Sequence, residues 1–230
     1  MDGVFLVEQP YDTYMKGEQA DVPLLVGRNT MEAPVTDILG GKAPTVESLR
    51  EAMAKVYGLD NVDRLLSLYG IATDADVRGE AGASVSSDIF IAFSSWLWAE
   101  LQKTAGTKPV WFYQFRHPRP ATEVEKEAEF EVFRGARHSI DIEYAMGNLP
   151  TNLVYSWQSD DYTVSSIFQG YYLNFIEKGD PNGLGLTGWD PVNGSDVTPT
   201  LQLDVQCRMT ADTLSNRKNL YIRDFWFPGK

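Results

Sequence analysis

Apolar positions recur along the chain in two periods, and the switches between them predict strands and helices in turn. Val22-Pro23-Leu24-Leu25-Val26-Gly27 is a short apolar run ending in glycine, the form of a strand buried on both faces of a parallel sheet. Val110-Trp111-Phe112-Tyr113-Gln114-Phe115, after the breakers Gly106 and Pro109, reads as a second core strand. A third, short strand is expected at 201–205, behind a glycine-, proline- and asparagine-rich loop at 183–200.

Between these runs the spacing becomes helical. Thr45 caps a helix over 46–57, where Val46, Leu49, Met53 and Val56 share one face and Gly58 supplies the stop. A short helix is expected over 61–69. A longer one, from Ser87-Asp88 to Lys103, is apolar almost all round, so it should be buried on most sides. The clearest helix covers 162–178: Val164, Ile167, Phe168, Tyr171, Tyr172, Phe175 and Ile176 follow the i, i+3, i+4, i+7 rule, and Gly179 with Pro181 ends it. A last helix is expected over 212–224, and the charged residues 118–134 read as a surface excursion.

This alternation predicts an α/β fold, a mostly parallel sheet flanked by helices. Only two or three strands are evident, and the two best read as interior strands whose edges need partners. The sheet is therefore expected to be incomplete in this chain. No internal repeat or low-complexity tract is present.

Composition narrows the function. With 230 residues, 43% of them hydrophobic, the chain can form one large globular domain or part of a larger one. A net charge of -12 disfavours nucleic acid, whose binding rests on lysine and arginine displacing counterions. Cys207 is the single cysteine, which rules out a disulfide within the chain and a cysteine-rich metal site. No metal or cofactor is expected. No apolar stretch approaches the roughly 20 residues a bilayer span needs, and residues 1–20 lack the pattern of a signal peptide. Asn193-Gly194-Ser195 matches a glycosylation acceptor but reads as a turn.

Two histidines limit the search for a general base. His117 sits in Arg116-His117-Pro118, just past a strand. His138 stands where a loop meets a helix, three residues after Gly135, a place from which a side chain can be aimed into a cleft. Glu32 lies five residues beyond Gly27, past the carboxyl end of the first strand, where ligands and catalytic groups gather in open α/β sheets. Alone, Glu32 reads as a solvated loop glutamate. Paired with His138 it would accept the Nδ1 proton, set the tautomer and stabilise the imidazolium that forms when Nε2 takes a proton.

Gly27-Arg28-Asn29-Thr30-Met31-Glu32-Ala33 resembles the acid-bearing loop of the type B carboxylesterases, the family of cholinesterases and para-nitrobenzyl esterases. Gly135-Ala136-Arg137-His138-Ser139-Ile140-Asp141, with Tyr144, Gly147 and Asn148, resembles its histidine segment. Asp2-Gly3, Asp21-Val22-Pro23-Leu24, Asp88 to Phe93, Tyr113-Gln114-Phe115 and Asn174-Phe175 through Gly179-Asp180-Pro181-Asn182 match in the same order, so the resemblance spans nearly the whole chain. Met31 stands for the usual aspartate, Ala33 and Ser139 for usual glycines, and Met146 where an aromatic is common. Ala33 tolerates positive φ less readily than glycine does.

The resemblance implies that residues 1–230 are the C-terminal portion of a single α/β-hydrolase domain, with Glu32 as the catalytic acid and His138 as the base. In that fold the triad runs serine, acid, histidine, with the serine on a GxSxG turn. Glu32 and His138 keep the order, yet residues 1–31 contain no serine. Gly82-Ala83-Ser84-Val85-Ser86 lacks the second glycine and falls between acid and base. The nucleophile and oxyanion hole are therefore expected on an N-terminal portion of the same esterase, which becomes the expected partner. The substrate would be a small neutral or hydrophobic ester. The chain alone should be inactive and prone to associate. Two other readings stay open: a noncatalytic, cholinesterase-like binding or adhesion module, and an α/β domain of unrelated function.

Overall fold

Three parallel strands and one antiparallel strand form the sheet of the computed structural model, which describes residues 2–122 and 130–229. The charged excursion expected at 118–134 lies partly outside the described residues. The strands β1 (Leu24–Asn29), β2 (Val110–Phe115), β3 (Thr200–Leu203) and β4 (Arg208–Thr210) lie side by side in that order. Leu24 to Asn29 run in parallel register with Val110 to Phe115, and Phe112 to Phe115 pair in parallel with Thr200 to Leu203. Among the described strands β1 pairs with β2 alone, so its other edge is unpaired. The first three strands match the expectation to within two residues at each end. β4 was not expected, because three residues are too few to show a period.

Nine helices are described: α1 (Pro10–Lys16), α2 (Val46–Tyr57), α3 (Leu59–Tyr69), α4 (Asp74–Arg78), α5 (Glu80–Phe90), α6 (Ala92–Ala105), α7 (Ile140–Met146), α8 (Ser159–Lys178) and α9 (Thr213–Trp226). α2 starts at the predicted cap, where Thr45 and Ser48 close a capping box. α8 begins three residues before the apolar stripe predicts, because Asp161 accepts the Gln158 N–H and closes an extra turn. Within it Val164, Phe168 and Tyr171 are fully buried, and burial of such a side chain contributes about 1.5–3 kcal/mol. Ile176, placed on the same stripe, is instead exposed.

The single helix expected over 87–103 is corrected to two. Ile91 (φ -149°, ψ -22°) leaves the helical region and separates α5 from α6. Neither glycine nor proline stands there. α5 packs on the 3-10 turn Val35–Ile38 that follows the acid-bearing loop, whereas α6 packs on β1, and the two targets force the bend. Phe90 and Trp98 are therefore half-exposed rather than buried.

Side chains alternate across the sheet and split the core in two. Val26, Val110 and Phe112 pack with α2, α3, α5, α6 and α9. Trp111, Tyr113, Phe115, Leu201 and Leu203 pack with α7 and α8. Gly27 is required by this packing: a Cβ there would stand 2.4 Å from the Tyr113 ring. The Asn193-Gly194-Ser195 turn ties down the start of the interior strand β2, Asn193 Oδ1 accepting the Val110 N–H at 2.7 Å. No described helix is long and apolar enough to cross a membrane.

Candidate active site

β1 ends at Asn29, and the chain does not turn away there. The Thr30 N–H donates to the Phe115 carbonyl at 3.0 Å, and the Met31 N–H donates to the Ala136 carbonyl at 2.8 Å. Met31 and Arg137 form an isolated parallel bridge, and Thr30 Oγ1 accepts the Ala136 N–H at 2.8 Å. The loop before Glu32 and the loop before His138 are thus laced together main chain to main chain. Gly135 permits the approach, because a Cβ there would stand 2.6 Å from Thr30 Oγ1 and 2.4 Å from the Phe133 ring.

Glu32 and His138, 106 positions apart, meet at the end of this lacing: Glu32 Oε2 lies 2.6 Å from His138 Nδ1. An ionised carboxylate only accepts, so the ring donates through Nδ1 and Nε2 is left to accept a proton. Glu32 Oε1 accepts the Asn29 N–H at 2.6 Å, which fixes the second oxygen. The burial is unequal. The Glu32 side chain is 7% exposed and the His138 side chain 46% exposed, so a shielded carboxylate holds an imidazole that faces outward. Phe90 sets the ring from the side, edge-on at 5.0 Å between centroids.

Residues that sequence reasoning did not single out hold the pair. Asn29 Nδ2 donates to the Arg137 carbonyl (2.6 Å) and to Asp141 (3.0 Å), tying β1 to α7. Ser86 Oγ donates to the Ala33 carbonyl at 2.6 Å, and Ser87 Oγ accepts the Ala33 N–H at 3.3 Å. The one available signal was a polar residue closing an apolar strand: a buried Asn29 must find partners. The half match around Ser84 lies inside α5, not on a strand-to-helix turn.

Ala33 does not carry the strain its replacement of glycine suggests. Ser139 is the non-glycine residue with positive φ (66°) among the described residues, directly after His138. A left-handed serine at this point turns the chain from the loop into α7 and aims the imidazole.

His117 is placed elsewhere. Its Nε2 lies 2.9 Å from Asp161 and its Nδ1 3.2 Å from Asp204, with Tyr144 edge-on beside the ring. Both nitrogens are occupied, and Asp161 also receives the Tyr144 hydroxyl at 2.6 Å. This histidine joins β2, β3 and α8 and has no free nitrogen for proton transfer.

Parallel strands with helices on both faces, followed by a carboxylate loop and a histidine loop at their carboxyl ends, define a class: the α/β-hydrolases. A PNB esterase of known structure superposes on 94% of this chain and 41% of its own, with TM-score 0.66 at 20% identity, and a thermophilic PNB esterase matches at TM-score 0.66 and 19% identity. The chain belongs to the Carboxylesterase family, whose sequence model matches residues 1–221. Among curated relatives, Carboxylesterase 5A of Canis lupus familiaris is 25% identical over 220 residues, covering 89% of this chain and 37% of the relative. Bile salt-activated lipase of Bos taurus is 24% identical, over 98% of this chain and 39% of its own length. The chain spans about two fifths of the length of these relatives.

Proposed function

We propose that this chain is the C-terminal portion of a serine esterase that hydrolyses carboxylic esters, with His138 as general base and Glu32 as its orienting carboxylate. The observation that carries this reading is the 2.6 Å contact between a shielded carboxylate and an outward-facing imidazole. Glu32 holds the Nδ1–H tautomer, so Nε2 takes the proton of an attacking serine hydroxyl as that oxygen bonds to the ester carbonyl carbon. The imidazolium then protonates the leaving alcohol, which leaves an acyl-enzyme. Water, deprotonated by the same Nε2, releases the acid and restores the serine. Glu32 stays ionised throughout and stabilises the transient cation.

The serine and the oxyanion donors belong to an N-terminal portion of the same esterase, since no serine precedes Glu32 in this chain. Among the described strands β1 pairs on one side only, which supports that partnership, since an open strand edge can take a further strand. Without nucleophile and oxyanion hole, the pair has nothing to activate, so the chain alone is inactive. Retention of both Glu32 and His138 favours this reading over a noncatalytic binding module.

Reconstitution tests it. The chain, mixed with an N-terminal esterase fragment bearing the GxSxG serine, should cleave para-nitrophenyl esters, whereas neither piece alone should. His138→Ala should lower the reconstituted kcat by about 10⁴-fold, because the serine loses its base. Activity that survives His138→Ala would end the assignment, and a silent complex of correct stoichiometry would favour the binding module.

A further inference from the structure

The last turn of α5 reaches both halves of the candidate site with its side chains. On one side Ser86 Oγ donates to the Ala33 carbonyl at 2.6 Å and Ser87 Oγ accepts the Ala33 N–H at 3.3 Å, which holds the residue next to Glu32. On the other, Phe90 stands beside the base: its ring and the His138 ring are 5.0 Å apart between centroids, with 77° between their planes. Residues 86, 87 and 90 share one side of the helix, since side chains three and four positions apart are neighbours there. We infer that Phe90 is a positioning residue, which fixes the direction of His138 Nε2 by blocking the swing of the imidazole; the inference rests on His138 being the general base of an esterase.

Glu32 by itself does not fix that direction. Among the described residues it is the hydrogen-bonding partner of the imidazole, at Nδ1 and 2.6 Å. The second torsion of a histidine side chain lies in a broad well, so small coupled changes in χ1 and χ2 keep Nδ1 near Glu32 while Nε2 tilts away. A phenyl ring packed at a steep angle blocks the tilt on one side, and angled rings about 5 Å apart are a preferred aromatic arrangement. The tilt matters because proton transfer needs heavy atoms about 2.6–3.2 Å apart, and a misplacement of about 1 Å can cost a reaction about 10²-fold.

Phe90 is placed for this contact and not for core packing. Its neighbours Ile89 and Phe93 join the core on the α2 and α3 side of the sheet, whereas Phe90 belongs to neither core among the described residues. Its one aromatic neighbour among them is His138. The backbone beneath the ring is held on both sides. Ser86 and Ser87 tie the preceding turn to the acid-bearing loop, and α5 ends at Phe90 itself, where Ile91 leaves the helical region and α6 sets off along β1. A single helical turn thus spans acid and base, with an aromatic ring at its tip.

Kinetics and ring dynamics of the same variants test this. In the esterase reconstituted from the 230-residue chain and an N-terminal fragment, Phe90→Ala should lower kcat toward para-nitrophenyl acetate about tenfold and leave KM within about twofold, and Phe90→Tyr, which restores a ring, should bring kcat back to within about twofold. In the 230-residue chain alone, the NMR order parameter of the His138 ring should fall in Phe90→Ala and return in Phe90→Tyr. Phe90→Leu, which keeps bulk without a ring, stands in for a Phe90→Ala that does not fold, with an expected loss in kcat of about threefold. An unchanged kcat, or a rise in KM with kcat unchanged, as for a ring that touches substrate, would overturn the positioning role, and so would an unchanged order parameter. A reconstituted complex that is silent without any substitution refutes the esterase reading instead, and the order parameter then decides by itself whether Phe90 holds the ring.

Discussion

The side-chain amide of Asn29 donates to the main-chain carbonyl of Arg137 at 2.6 Å, so the last residue of β1 grips the backbone one residue before His138. The same residue offers its N–H to Glu32, which makes Asn29 the common anchor of both candidate groups. Asn29→Ala should leave the Arg137 carbonyl without that donor and lower stability by about 1–3 kcal/mol, measured by urea unfolding. In the reconstituted esterase it should reduce kcat more than KM, because it misplaces the base without touching the substrate. Equal loss in both parameters would contradict a positioning role.

Ser139 stores conformational strain. At φ 66° a β-branched side chain crowds its own backbone, whereas glycine fits without penalty. Ser139→Val should destabilise the chain by about 1–2 kcal/mol, and Ser139→Gly should be neutral or slightly stabilising. Paired denaturation curves check the contrast; a stable Ser139→Val variant would show that the turn is relaxed.

Asp88 and Lys218 form a buried ion pair between α5 and α9, their side chains 2% and 4% exposed. Removing one partner leaves an uncompensated charge in the core, so Asp88→Asn or Lys218→Met alone should cost about 3–5 kcal/mol. The double variant Asp88→Asn with Lys218→Met should recover part of that loss, because neither charge of the pair is then left alone, although Arg28 still loses its nearby carboxylate. A double-mutant cycle measures the coupling, and additive losses would contradict it.

Alkali should unfold the chain. Burial pushes the phenols of Tyr57, Tyr69, Tyr113, Tyr144, Tyr171 and Tyr172 above the ordinary tyrosine value near 10. A folded-state value raised above the unfolded one contributes stability that is complete below about pH 10 and is lost as the pH climbs through it. Lys218, lowered by burial, works in the opposite direction, but it is one group against six. The Tm should fall steeply above about pH 10, with tyrosine ionisation followed at 295 nm coinciding with unfolding. Phenols that ionise while the chain stays folded would contradict the burial argument.

Much of this molecule is written in local pattern. β1, β2, α2, α3 and α9 follow from runs and stripes whose period survives in the structure, and Thr45 and Gly58 mark the ends of α2 because caps act over a single turn. The break at Ile91 left no such mark. α5 and α6 are bent apart by what each packs against, and the sequence between them reads as one continuous helix. β4 was hidden for a related reason: its three residues draw their hydrogen bonds from β3, not from their own periodicity.

The candidate site divides in the same way. The motifs around Glu32 and His138, through their resemblance to the carboxylesterase family, singled out this acid and this base as candidates, because such motifs are local stretches of sequence. Only the tertiary structure decided that these groups meet at 2.6 Å, that His117 is consumed between two aspartates, and that Asn29, Ser86 and Ser87 hold the loops. Those facts depend on strands and helices far apart in the chain being packed side by side, and hydrogen bonds across such distances leave no period in the sequence.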